Sequence, residues 1–281
     1  MLRQKLLDHY GDGSRLLAFR RAPAFGAHLF VVDTMRRQRP VRILGCIDHL
    51  GWLIEQSAMD RLRPDRLAFG YERLMMIAFA LVPEPRSALL LGLGGGAMYR
   101  HLATYLPGCA LTIVERDPIV RELARKHFHV KRPVVMADAA QIVRESRGKY
   151  DVVLVDLYDS RGSTASGRRF WRACLRALKP DGCLAVNWAD FAGARRVDGE
   201  AAALAEVSDK RSFFIGERIR DPNVVQYVPT VKGFRRTQLS RRIKAFATAH
   251  GLPREDRDIL KRCRLLPRFI SDGEEAEDEL D

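Results

Sequence analysis

The chain has 281 residues, 47% of them hydrophobic and 30% charged, with a formal net charge of +13. That length suits one α/β domain with a small addition, and the apolar share excludes disordered and fibrous classes. The longest uncharged apolar run, Leu74 to Pro83, is ten residues, about half of the roughly 20 that a membrane-spanning helix needs.

Met1-Leu2-Arg3-Gln4-Lys5 has no apolar stretch after its charges, so no secretory signal is expected. Cys46, Cys109, Cys174, Cys183 and Cys263 are odd in number, scattered, and without a Cys-x-x-Cys pair. That spacing predicts reduced thiols in a cytoplasm, with no disulfide framework and no metal site.

Residues 1–26 are poorly patterned and read as a lead-in. Residues 27–70 read as a small β-hairpin region, because His28–Val32, Val41–Ile47 and Trp52–Glu55 are short β-type runs separated by turn residues. Tyr71–Phe79 is apolar almost all round, which predicts a buried helix. The period then changes. Ala88–Leu91, Leu111–Val114, Val134–Met136, Val152–Val155 and Leu184–Val186 are apolar runs, and the helical stretches 98–106, 119–128, 139–145 and 170–178 lie between them. Strands apolar on both faces and alternating with helices predict a mostly parallel sheet covered on both sides. Lys179-Pro180-Asp181-Gly182 reads as a stop and turn before the fifth strand. Candidate strands at 212–219 and 224–228 flank Asp221-Pro222-Asn223 and predict an antiparallel C-terminal hairpin. The fold class is therefore a Rossmann-like α/β domain over residues 71–269, preceded by a small β layer.

The C-terminal region is polarised in charge. Twelve Lys or Arg stand against three acids between Lys232 and Arg268, followed by seven acids and no base from Asp272 to the end. A basic helix carrying Leu239, Ile243 and Phe246 on one face is expected, and then an acidic disordered tail over 270–281. Nucleic acid is a possible partner, but a solvated helix face is the preferred reading.

Chemistry concentrates at strand ends. Gly92-Leu93-Gly94-Gly95-Gly96 follows the first parallel strand, where glycines allow a tight turn and close approach of a ligand. Alone the motif fits nicotinamide, flavin and S-adenosyl sites. Glu115 ends the second strand, placed to accept both ribose hydroxyls; Asp138 follows the third, placed for an adenine amino group or for a helix cap; Asp156 ends the fourth. Ligands of open α/β sheets lie at these carboxyl ends, and the whole acid series favours an S-adenosyl nucleoside over nicotinamide. Trp188 and Asn187 end the fifth strand, as pocket floor or as packing. His127 and His129 do not share a helical face, so a metal pair is not expected.

Residues 88–188, with Gln56-Ser57-Ala58-Met59-Asp60 and Tyr71-Glu72-Arg73, resemble the spermidine synthase (polyamine aminopropyltransferase) family, in particular its bacterial spermidine synthase-like branch carrying Gly-Leu-Gly-Gly-Gly. The resemblance implies a class I methyltransferase-like fold, a homodimer, decarboxylated S-adenosylmethionine as co-substrate without a metal, a small amine as acceptor, and a place in polyamine biosynthesis. It gives Gln56 a role at the nucleoside end and Tyr71 one along the amine channel, with Glu115 on ribose and Asp138 on adenine. Asp156-Leu157-Tyr158-Asp159 stands where the family has Asp-Ser-Ser-Asp-Pro. Asp156 is then the base acting on the attacking amine, and Asp159 helps to hold that amine. Ser160–Gly167 would form a flexible lid.

Two departures bear on the transferred group. Gly94-Gly95-Gly96-Ala97-Met98 stands where the family reads Gly-Gly-Gly-Asp-Gly, and the missing acid is the one expected to meet the donor's ammonium. Such a charge-assisted hydrogen bond is worth roughly 1.5–3 kcal/mol. Glu72 is the nearest candidate to compensate. The second departure is Arg161, a cation in the amine loop. A methyltransferase using intact S-adenosylmethionine, and a non-catalytic nucleoside-binding module, are the alternative readings.

Overall fold

Alternating apolar residues build the first layer. The computed structural model describes residues 2–23, 26–48, 50–159, 162–163, 167–189, 195–217, 223–230 and 235–266. Helix α1 (Leu2–Tyr10) leads into β1 (Arg15–Ala22), β2 (Ala27–Arg36), β3 (Arg39–Ile47) and β4 (Leu53–Asp60), an antiparallel sheet in the order β1-β2-β3-β4. Arg37 and Gln38 form the two-residue β2–β3 turn at φ 47° and 62°, the left-handed pair that matches strand twist in hairpins. Successive residues of β2 point to opposite faces. Leu29 and Val31 pack with Val120, Leu123 and Phe128, whereas Phe30 and Val32 pack with Leu6 of α1.

The first 26 residues are thus not a bare lead-in. Helix α1 closes the outer face of the sheet, and β1 is its first strand, so the layer begins at Arg15 rather than at residue 27. The weak pattern has a physical reason: β1 is an edge strand that fully buries only Ala18 and Ala22, both small.

Helix α2 (Gly70–Ala80) follows, with Leu74 through Ala80 all buried, as its uniformly apolar sequence predicts. The second layer then unfolds as β5 (Ser87–Leu91), α3 (Ala97–Tyr105), β6 (Ala110–Glu115), α4 (Pro118–His127), β7 (Val135–Met136), α5 (Ala139–Glu145) and β8 (Tyr150–Val155). After the short pair β9 (Tyr158–Asp159) and β10 (Gly162–Ser163) come α6 (Gly167–Ala177), β11 (Leu178–Ala189), α7 (Arg195–Val207), β12 (Phe213–Glu217), β13 (Asn223–Pro229), α8 (Leu239–Ala249), α9 (Arg254–Arg257) and β14 (Cys263–Leu266).

The large sheet runs β14-β12-β13-β11-β8-β5-β6-β7. Strands β11, β8, β5, β6 and β7 are mutually parallel, whereas β13 is antiparallel to β11 and to β12. Both faces are covered, as expected of strands apolar on both sides. In β8, Val152 and Leu154 enter the core under α2, α3 and α8; Val153 and Val155 enter the one under α5, α6 and α7.

The expected hairpin is present as β12 and β13, but it is not the edge. Strand β14 pairs outside β12, burying Cys263. The turn 179–182 appears inside β11, where pairing to β8 breaks between Leu178 and Cys183 and Asp181 adopts φ 62°. Helix α8 buries Leu239 and Ile243 as its spacing predicts, with Phe246 packed at the margin. The acidic tail, 270–281, lies outside the described residues.

Candidate active site

The carboxyl ends of β5, β6, β7, β8 and β11 meet along one edge of the parallel sheet. The chain leaves β5 at Gly92, where φ is +97° and an added Cβ would fall 2.1 Å from the Asp156 carbonyl oxygen. Only glycine fits this close approach, and it brings the glycine turn against the end of β8. Gly94 faces open space, with no heavy atom within 4 Å of a would-be Cβ. Gly96 caps α3, and Gly95 rests on Ser57 of β4.

Glu115 binds this turn to the end of β6. Its Oε1 accepts the N–H groups of Arg116 (2.7 Å) and Asp117 (2.8 Å), and its Oε2 accepts that of Leu93 (3.2 Å). Burial nevertheless holds the carboxyl above its ordinary pKa. A carboxylate offers about four acceptor sites, so one remains, on Oε2, for a ligand hydroxyl. The carboxylate that the sequence places for both ribose hydroxyls is thus already engaged by three backbone N–H groups. Asp138 stands beside it, because β7 pairs with β6 through Glu115 and Met136. Its Oδ1 accepts the Ala140 N–H at 2.8 Å and caps α5, so the capping role weighed from the sequence is present on an exposed residue.

Asp156 is the central group. It is half-buried at the end of β8, and desolvation pushes its carboxyl up to about 6, against a lowering hydrogen bond from Asn187. That bond runs from Asn187 Nδ2 to Asp156 Oδ1 at 3.0 Å. Asn187 is 2% exposed, and its own Oδ1 is buried without a hydrogen-bond partner among the described residues. The Tyr158 hydroxyl donates to the Asn187 carbonyl at 3.2 Å. Trp188, one residue on, points the other way and lies in the core, its indole N–H on Gln226. The pocket-floor and packing readings therefore divide between the two residues.

Gln56 and Tyr71 come together from the β layer and α2. The Tyr71 hydroxyl donates to the Gln56 carbonyl at 3.5 Å, and the ring stacks on Phe69. Asp159 pairs through its backbone with Gly162, and Tyr158 with Ser163. The expected flexible lid thus contains a short strand at 162–163; residues 160–161, with Arg161, and 164–166 lie outside the described residues.

Glu72 does not replace the acid missing at Ala97. It is 2% exposed and accepts the N–H groups of Ala68 (2.9 Å) and Phe69 (3.0 Å), closing the N-terminus of α2. Burial pushes it up to about 7. Ala97 itself is buried at the start of α3.

Two supports escaped the sequence reading. Ser57 lies under Gly95, and Arg100 of α3, only 6% exposed, donates to the carbonyls of Pro64 (2.8 Å), Gly95 and Phe128 (2.9 Å). The signal for Arg100 was a cation among apolar neighbours on a short helix, which reads equally as a surface residue. Among the described residues no group of three or more His, Cys, Asp or Glu is placed to hold a metal ion. All five cysteines are buried and unpaired, and no described helix is long and apolar enough to cross a membrane.

This topology, with acids at successive strand ends, is the Rossmann-like α/β fold of the class I methyltransferase type. A probable spermidine synthase from Corynebacterium glutamicum superposes with a TM-score of 0.67 at 18% identity, over 84% of this chain and 88% of that one. Human methyltransferase-like protein 13, solved in complex with SAH, superposes at 0.55 and 20% identity over 66% of this chain and 95% of its own. In sequence, a family model described as the spermine/spermidine synthase domain matches residues 68–190. The polyamine aminopropyltransferase of Neisseria meningitidis serogroup B is 30% identical over 214 residues, 73% of this chain and 80% of the relative. That of Chromobacterium violaceum is 33% identical over 170 residues, 58% of this chain, and the match spans 64% of the relative's length. The chain belongs to the spermine/spermidine synthase family.

Proposed function

We propose that the chain transfers an aminopropyl group from decarboxylated S-adenosylmethionine to a small amine in polyamine biosynthesis, acting without a metal as a cytoplasmic homodimer. The observation that carries the reading is Asp156: a half-buried carboxyl with a raised pKa, held by Asn187 beside the glycine turn. A sulfonium is already an activated leaving group, so the protein mainly aligns a nucleophile with the carbon–sulfur bond. The amine has a pKa near that of lysine, about 10, and arrives protonated. Asp156 attracts the ammonium and accepts its proton, directly or through water. The freed lone pair forms the new carbon–nitrogen bond, the carbon–sulfur bond breaks, and its electrons stay on sulfur, which leaves as the neutral thioether methylthioadenosine. Asp159 and Tyr71 hold the amine; Gln56, Glu115, Asp138 and the glycines 92 and 94–96 hold the nucleoside.

Ala97 favours a second reading. With no acid at that position, intact S-adenosylmethionine would keep its carboxylate there without repulsion, and the reaction would be methyl transfer. One assay separates the two. Purified protein receives each donor with a panel of diamines and polyamines, and the released nucleoside is identified by mass spectrometry. Methylthioadenosine that requires protein, amine and Asp156 is the expected product, with Asp156→Asn reducing the rate by at least 100-fold. S-adenosylhomocysteine in its place would move the chain to methyl transfer.

A further inference from the structure

The outer face of α6 carries a feature that the active site does not use. Arg168, Arg169, Arg172 and Arg176 are all exposed, and on a helix of 3.6 residues per turn they fall within one arc of about 100°. Phe170, Trp171, Ala173, Cys174 and Ala177 fill the opposite arc and are buried. Arg168, Arg172 and Arg176 follow one another a turn apart, over about 12 Å. Arg144, Arg147 and Lys149 are exposed on the adjoining segment, whose backbone docks on the end of α6 through the bonds Gly148 N–H to Arg176 O and Lys149 N–H to Ala177 O, each 2.9 Å.

This face opposes helix stability in two ways. Like charges one turn apart repel, and α6 contains no acid to relieve them. Two of the cations also sit in the first turn, where the helix dipole is positive. Among the described residues only Arg168 has an acidic partner, Glu206 at 2.6 Å, and that pair is more than half exposed. Arg169, Arg172 and Arg176 have none. A stripe that repels itself, opposes the dipole and leaves its forks open is accounted for by an anionic partner with repeated charges. The guanidinium fork suits phosphate. The face exposes no large apolar side chain of the kind that a membrane surface or an apolar protein interface would bury.

We infer that the α6 face, extended by Arg144, Arg147 and Lys149, binds the phosphate backbone of nucleic acid without sequence preference. The basic helix α8, with exposed Arg235, Arg241 and Lys244 on and beside it, is a built-in control, because it carries similar charge elsewhere on the same protein.

The probe is a fluorescein-labelled, mixed-sequence single-stranded RNA titrated with the full-length protein and followed by anisotropy at several salt concentrations. The R169Q/R172Q/R176Q variant should bind at least tenfold more weakly at about 0.1 M salt, and its salt slope should fall by about 2, from three lost phosphate contacts on a single strand. Its aminopropyl transfer should be unchanged and its Tm no lower. The R235Q/R241Q/K244Q variant should stay within threefold of the native protein. Equal losses in both variants would show a response to net charge alone and overturn the assignment, as would no binding at all. RNA binding that appears only when the seven acids from Asp272 to Asp281 are replaced by Asn or Gln would also overturn it, by showing that the chain's own acidic segment occupies the face.

Discussion

Asp156 depends on a neighbour that contributes no charge. Asn187 donates to one carboxylate oxygen, in the proposed reaction leaving the other for the amine, and its hydrogen bond opposes the desolvation that lifts the carboxyl to about 6. The base must be ionised to accept a proton. The acid limb of kcat/KM should therefore fall near pH 6, with activity lost below it. Removing the donor stabilises the anion less and raises the pKa. Asn187→Ala should move the limb upward and cost more activity at pH 6 than at pH 8, with nucleoside affinity little changed; a limb that stays in place would show that Asn187 does not tune the base. The placement of Asp156 at a strand end was legible, because it closes the apolar run Val152–Val155 in series with Glu115 and Asp138. Asn187 was visible only as a strand-end residue, since its importance lies in a contact across 31 positions of sequence. The occupation of Glu115 by three backbone N–H groups was likewise invisible, because it arises from the curl of the chain after β6 and from a turn 22 residues earlier.

At the scale of elements, α2 shows how a local signal can be read correctly for its structure and wrongly for its purpose. The apolar run from Leu74 to Ala80 announced a buried helix, and it is one. Glu72 at its start suggested a substrate-facing acid, yet it closes the first turn by accepting two backbone N–H groups. Its pKa, lifted to about 7 by burial despite Arg100 and Arg73 nearby, lies above the roughly 4.3 of an unfolded glutamate. The native state thus binds this proton more tightly. The associated stabilisation is complete below about pH 4 and is lost as pH rises through 7. Glu72→Gln keeps the acceptor and removes the titration. Denaturant melts should show the native protein losing on the order of 3 kcal/mol relative to this variant between pH 4.5 and 8; parallel pH profiles would rule out Glu72 as the titrating group. Strand β14 and strand β1 were the elements least legible in the sequence. Both are edges with short or small apolar content, whereas β5 and β8, buried on both faces, signal themselves with the unbroken apolar runs 88–91 and 152–155.

At the scale of the whole molecule, the β layer supports the glycine turn of the proposed nucleoside site. Its inner face packs on α4 through Leu29, Val31, Val120 and Leu123. Arg42 fastens the two layers, gripping Asp33 in its own sheet with two bonds of 2.7 and 2.9 Å while donating to the His127 carbonyl at 2.8 Å. The same interface sets the glycine turn, since a Cβ on Gly95 would lie 2.7 Å from Ser57 Oγ, 2.8 Å from Ser57 Cβ and 3.3 Å from Phe128. Ser57 is 3% exposed and cannot swing into solvent. Gly95→Ala must therefore lift the turn off the β layer, and nucleoside affinity should fall about five- to 150-fold, from roughly 1–3 kcal/mol of overpacking. Ser57→Gly removes both nearest atoms. If the layer is what holds the turn, the double variant should recover most of the lost affinity, with a coupling of about 0.5–3 kcal/mol by calorimetric titration of the donor nucleoside. Additive losses would mean that the turn holds its shape through Glu115 and Arg100 alone, and that the N-terminal layer bears on folding and not on the nucleoside.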